Sequence, residues 1–174
     1  MFDIDTCAHP PEALLLRYKE SGDYTDCYYT DLDQAVTLEE FVVNFYTTRL
    51  FKLERVILKA AINRPSTDAQ ARQLVNNEIQ EFAAWTVEDR APGQLLMCDV
   101  RERTRSWFMT QPITNGTRLY FGSAVVKQDD PSTEQPSMGW LFSGLLGFHK
   151  LYSIALLGSA RKSLRRSQTT GESN

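Results

Sequence analysis

RSWFMTQPITNGTRLYFGSAVV, residues 105–126, decides how the rest of the chain is read. Two runs rich in aromatic, β-branched and Thr residues flank Asn115-Gly116, a dipeptide that accepts the positive φ angles of a two-residue hairpin loop. Folding the stretch at that loop sets Trp107 opposite Ala124, Met109 opposite Gly122 and Gln111 opposite Tyr120 on one face. On the other face Phe108 meets Ser123, and Thr110 meets Phe121. Aromatic side chains on both faces mean that both need cover.

Working upstream, apolar residues alternate from Trp85 and again from Leu96, on either side of an Ala91-Pro92-Gly93-Gln94 turn. Closed as an antiparallel pair, these runs place Trp85, Val87, Leu96, Cys98 and Val100 on one face and Thr86, Glu88 and Asp99 on the other. Glu88 and Asp89, as strand neighbours, are expected on opposite faces, which rules them out as an acid–base couple. An even-length connection through Arg101–Thr104 would bring Trp107 and Met109 to the face of Trp85 and Leu96.

Earlier still, PEALLLRYK (11–19) reads as a short helix with proline in its first turn and Gly22 at its end. YTDCYYTDL (24–32) reads as a strand. Thr37 and Glu40 form a capping box that opens LEEFVVNFYTTRLFKLERVILKAAI (38–62), which Thr47-Thr48 divides and Asn63-Arg64-Pro65 stops. Ser66 or Thr67 caps a further helix through about Asn77. Residues 1–10 read as poorly structured.

Downstream, QDDPSTEQPSM (128–138) is a polar surface loop. The apolar run Trp140–Leu157 has nearly the length of a membrane span, but it carries His149 and Lys150 at its centre, with Gly144 and Gly147. A lysine in mid-bilayer costs roughly 2.5–3.5 kcal/mol, so the run reads as a helix buried in protein. Arg161, Lys162, Arg165 and Arg166 follow in its last turns, where cations suit the helix dipole. The expected organisation is an N-terminal segment with a short helix (1–21), one domain (22–166) and a disordered tail (167–174). The expected fold class is α+β, an antiparallel sheet with a long C-terminal helix packed across it.

Composition narrows the function classes. The chain has 174 residues, 42% hydrophobic and 11% aromatic, with a formal net charge of −3. A sequence pI near 5.4 argues against nucleic acid as a partner. Cys7, Cys27 and Cys98 are scattered and odd in number, so they read as free thiols of a reducing cytoplasm. With no Cys/His metal spacing, no HExxH and no second structured histidine, neither a metal nor a cofactor is expected. No charged start followed by an apolar stretch marks a secretory signal, and the expected location is cytoplasmic.

The order strand, helix pair, run of antiparallel strands, terminal helix resembles the START-like, polyketide-cyclase-like (SRPBCC) superfamily and its helix-grip fold. More narrowly, FKLERVIL (51–58), TRLYFGSAV (117–125) and GFHKLYSIALL (147–157) are similar to an uncharacterised bacterial family placed within it. The resemblance spans about residues 22–165. It implies a cavity between curved sheet and terminal helix that holds an apolar or aromatic small molecule. Some members are cyclases or hydrolases and many only bind. About five strands are legible here, against six or seven in the superfamily.

On this reading the wall of a ligand cavity comprises Trp85, Trp107, Met109, Tyr120 and Gly122, with His149 and Tyr152 on the lid helix and Arg105 anchoring a polar end. The pairs Trp107/Ala124 and Met109/Gly122 either interdigitate or leave room for the ligand. His149 is either a core histidine held by one hydrogen bond or, with a tyrosine hydroxyl, the acid–base group of a cyclase- or hydrolase-type enzyme. Arg101, Arg103, Arg105 and Arg118 suit either an anionic group or a solvated strand end. Cys98 is expected in the core. A third reading is an interaction module with a filled core. Phe108, Leu119, Phe121 and Val125, on the face opposite Trp107, are the expected contact of a homodimer.

Overall fold

A computed structural model of the chain describes residues 4–48, 51, 66–127 and 154–165. Among these residues seven strands form one antiparallel sheet: β1 (Asp5–Thr6), β2 (Tyr24–Leu32), β3 (Glu81–Phe82), β4 (Trp85–Ala91), β5 (Gln94–Asp99), β6 (Thr104–Ile113) and β7 (Gly116–Val125). Their spatial order is β1-β2-β7-β6-β5-β4-β3. The helices are α1 (Leu16–Glu20), α2 (Leu38–Tyr46), α3 (Asp68–Val75) and α4 (154–165). The class is α+β, and a seven-stranded antiparallel sheet with helices is compatible with a helix-grip fold. Of the run Trp140–Leu157, residues 154–157 are described. His149 and Tyr152 lie outside the described residues.

Local chemistry accounts for the starts of α2 and α3. Thr37 Oγ1 accepts from Glu40 N at 3.1 Å while the Glu40 carboxylate accepts from Thr37 N at 2.9 Å, the reciprocal cap expected of this pair. Thr67 and Gln70 repeat the device at α3. α2 ends at Thr47, whose hydroxyl donates back to Val43 O. α1 is shorter than PEALLLRYK suggests, because the chain turns through Pro11–Leu15 and becomes helical only at Leu16. The strands beyond the five legible ones, β1 and β3, are two residues long and too short to show a period.

Two features set which side chain faces which way. The first is the β6–β7 loop. Ile113 pairs with Gly116, so the loop is Thr114-Asn115, and Trp107 faces Gly122, Met109 faces Tyr120 and Phe108 faces Phe121. Gly116 belongs to the strand because its backbone passes beside β2: a Cβ there would lie 1.9 Å from Leu32 O. The shift from the expected register is two residues, which preserves each face. The second is a β-bulge in β4. Val87 pairs with Met97 but Asp89 pairs with Leu96, leaving Glu88 as the extra residue. Trp85 and Val87 therefore share a face with Met97 and Leu95, and not with Leu96 and Cys98 as the simple alternation predicts. Leu96 does pair with Trp107, as the even connection through Arg101–Thr104 requires.

The two faces have different covers. Phe108, Leu119 and Phe121 (0–3% exposed) lie beneath α2, Phe51 and α4, in one cluster with Phe41, Phe45, Leu157 and Leu164. The Phe45 ring lies 4.8 Å from both Phe108 and Phe121, edge-on to the first. The proposed dimer surface is thus covered from within the chain, with only Val125 half-buried. Trp107, Leu96, Met109, Tyr120 and Ala124 lie on the opposite face, beneath Ala13 and Leu15 of the N-terminal segment. The α4 helix and the Trp107 wall are on opposite sides of the sheet, and residues 4–10 are tied to it by β1.

Phe45→Ala removes the ring at the centre of the larger cluster. It should lower unfolding stability by about 3–5 kcal/mol in urea titrations followed by far-UV circular dichroism.

Candidate functional site

The Trp107 wall is filled. Trp107 is 0% exposed, and a Cβ on Gly122 would lie 2.7 Å from Asp26 O and 2.9 Å from Leu15 Cδ2. The glycine admits Leu15 and the Trp107 ring to the sheet surface; the expected pairs Trp107/Ala124 and Met109/Gly122 do not form, since Trp107 lies opposite Gly122 and Met109 opposite Tyr120. Gln94, buried on the same face, locks the arrangement. Its Oε1 accepts from Trp107 Nε1 at 2.9 Å and from Leu14 N at 3.0 Å, and its Nε2 donates to Glu12 O at 3.0 Å. His9 packs 6.5 Å from the Trp107 ring, and burial pulls its pKa down.

An open groove of about 510 Å³ lies at the end of this face. It is lined by Tyr18, Thr86, Val87, Glu88, Cys98 and Arg105, with Glu81, Asp99, Val100 and Glu102 around them. Each part has a local cause. The bulge in β4 turns Glu88 toward α1, and Asp89 follows onto the same side, where Arg17 pairs with it. The two carboxylates therefore share a face, contrary to the strand-neighbour expectation. Asp99 organises the β5–β6 connection: its Oδ1 accepts from Arg103 N at 2.7 Å and Thr104 N at 2.9 Å. Glu102 takes φ 57° in that turn, and Arg105 follows at the start of β6.

At the centre of the groove Tyr18, Glu88 and Arg105 form a closed triangle. The Tyr18 hydroxyl donates to Glu88, and Arg105 Nε donates to both Glu88 and the Tyr18 oxygen. The guanidinium also lies 5.0 Å from the Tyr18 ring centroid and donates to Glu102 O at 2.9 Å. Burial, then the hydrogen bond to Glu88, pushes the Tyr18 pKa up to about 12, with Arg105 opposing. Among the described residues, the carboxylates of Glu81, Glu88, Asp99 and Glu102 and the guanidinium of Arg105 line the groove. Cys98 is half-buried in the groove wall rather than in the core, its thiol pushed up by burial and donating to Asp99 O at 3.3 Å. That environment does not generate a nucleophilic thiolate.

Trp107, Met109, Tyr120 and Gly122 share a wall, as the hairpin predicts, but the wall is closed. Trp85 is on the other face, half-buried, its Nε1 without a hydrogen-bond partner among the described residues. The arginines do not converge. Arg105 is held by Glu88, whereas Arg118 is at the far end of β7, paired with Asp31 at 2.7 and 2.8 Å and 4.2 Å from the Tyr29 ring centroid. Arg101 and Arg103 are exposed. The Tyr120 hydroxyl donates to Gln111. Tyr18, Glu88 and Asp99 carried no signal as a site. Only Asp99, a turn-forming residue before RERT, could have been read from its type. Among the described residues no three His, Cys, Asp or Glu side chains come together to hold a metal ion, and no helix is long and apolar enough to cross a membrane. No protein-family model matches the chain, and no curated protein matches it.

Gln94→Leu strands two donors, the Trp107 indole N–H and Leu14 N–H. It should cost about 2–4 kcal/mol of stability, read by chemical denaturation. Tyr18 predicts an alkaline effect. With its folded pKa raised above the unfolded value of about 10, its contribution is fully present below pH 10 and is lost as the pH rises toward 12. Tyr18→Phe should therefore lose less stability than the wild type across that window.

Proposed function

We propose that the chain is a helix-grip protein of the START-like type that binds a small molecule, and that the ligand occupies the Tyr18–Glu88–Arg105 groove. The topological support is the placement of β2 beside β7, the helices between β2 and β3, and α4 packed with α2 on one face, where Ser163 Oγ donates to Asn44 Oδ1 at 2.7 Å. The observation that carries the site is the groove itself, in which the carboxylates of Glu88, Asp99 and Glu102 lie beside Tyr18 and the 43%-exposed Val100. Arg105 is already held by Glu88 and does not offer a free anion anchor. The chemistry favours a ligand with an apolar or aromatic body that lies along Tyr18 and Val100 and a cationic group that meets the carboxylates.

A matched set of phenethylamine, phenethyl alcohol and phenylacetate tests this by isothermal titration. The amine should bind more tightly than the alcohol, and the acid least. Glu81→Gln and Glu102→Gln, both at exposed positions, should each weaken the amine by about threefold without changing the fold. Equal affinity for all three, or affinities that ignore both substitutions, would remove the groove as the site. A second reading, an interaction module with a filled core, is favoured by Leu15 and Trp107 filling the space over Gly122. It gains if none of the three compounds binds and mass spectrometry finds no co-purifying small molecule.

A further inference from the structure

The N-terminal segment is joined to the sheet at a second point, independent of the groove. One residue beyond β1, Cys7 continues the β1–β2 ladder opposite Cys27: Cys7 N donates to Cys27 O at 3.1 Å, and the two Sγ atoms are 3.1 Å apart. Hydrogen-bonded cross-strand neighbours hold their Cα atoms about 5.5 Å apart, within the span that a disulfide bridges. Both side chains belong to the cluster under the N-terminal segment, together with Trp107 and Leu15. Cys98 is in the groove wall and takes no part in this pair.

We propose that Cys7 and Cys27 are a redox site, a dithiol that a small disulfide such as oxidised glutathione converts to an intramolecular bridge, fastening the N-terminal segment over the Trp107 face. Cys7 is half-buried and Cys27 only 3% exposed, so the Cys7 thiolate reacts first. It attacks one sulfur of the glutathione disulfide and expels a glutathione thiolate. The Cys27 thiolate then attacks the Cys7 sulfur of the mixed disulfide and expels the second. Two protein thiols lose two protons and two electrons, and one glutathione disulfide becomes two glutathiones. Burial raises both thiols above the ordinary cysteine value, which makes the exchange slow.

The segment that the bridge fastens carries Ala13 and Leu15 onto the sheet and Tyr18 into the groove. Oxidation therefore adds a covalent pin to the cover, which in the reduced protein is held by the β1–β2 ladder, Gln94, the contacts of Arg17 and Tyr18, and packing. Closing the chain between these positions, 20 residues apart, should raise Tm by about 5–10 °C.

The test uses the full-length reduced protein incubated with oxidised glutathione. Titratable thiols should fall from three to one. A non-reduced tryptic digest should yield one linked species joining the Cys7 and Cys27 peptides, which cleavage at Arg17 and Lys19 otherwise separates. Cys98→Ser should form the same bridge, and Cys7→Ser should show no oxidation-dependent rise in Tm. Three remaining thiols, a bridge containing Cys98, a stable glutathione adduct on Cys7, a disulfide-linked dimer, or a linked peptide without a gain in Tm overturns the proposal. Should Cys7→Ser fail to fold, the wild-type peptide map still decides.

Discussion

The amide of Gln94 holds the two layers of the Trp107 face in register. It begins β5 directly after Pro92-Gly93, where Gly93 takes φ 69°, and this turn aims the side chain at the N-terminal segment. From there one carbonyl oxygen accepts from both a tryptophan indole and a backbone amide, and one amide nitrogen returns to Glu12 O. A buried amide with three partners is stable only when all three are in place, because each stranded group loses its bond to water without replacement. The position of Trp107, the path of Glu12–Leu15 and the start of β5 are therefore one constraint. With Leu15 delivered to the sheet, Gly122 becomes the only residue type that fits beneath it.

The bulge at Glu88 does comparable work at the end of the sheet. One extra residue in β4 rotates the strand by half a pleat, so Trp85 and Val87 face the helices while Glu88 and Asp89 face α1. Without it, the carboxylate that meets Tyr18 and Arg105 would point elsewhere, and the groove would lose its centre. The groove is thus a product of three local events: a bulge, an Asp99-organised turn, and an N-terminal segment held by Gln94 that brings Tyr18 to the rim.

Cover on both faces is what a sheet with aromatics on both sides demands, and the chain meets the demand internally. The larger face is closed by α2, Phe51 and α4 around Phe45, Phe108 and Phe121, and the smaller by residues that lack helical or strand periodicity. A segment such as CAHPPEALL (7–15) shows no sign of its partner, since Leu14 N and Glu12 O bond to the Gln94 side chain far along the chain. Its role in covering Trp107 is invisible to periodicity, which records only local geometry.

The sequence by itself determined what local chemistry governs. The span of β2, the capping box at Thr37, a helix start at Ser66 or Thr67, the hairpin around Asn115 and the common face of Trp107, Met109, Tyr120 and Gly122 all follow from neighbouring residues and strand alternation. Tertiary structure alone decided the rest. Whether the glycine of Asn115-Gly116 lies in the loop depended on Leu32 O, 84 residues earlier. Which face Trp85 joins depended on a bulge that no residue type announces. Which cover lies over which face depended on long-range packing of Leu15 and Phe45, because a period of two assigns side chains to faces but does not say what lies above either face.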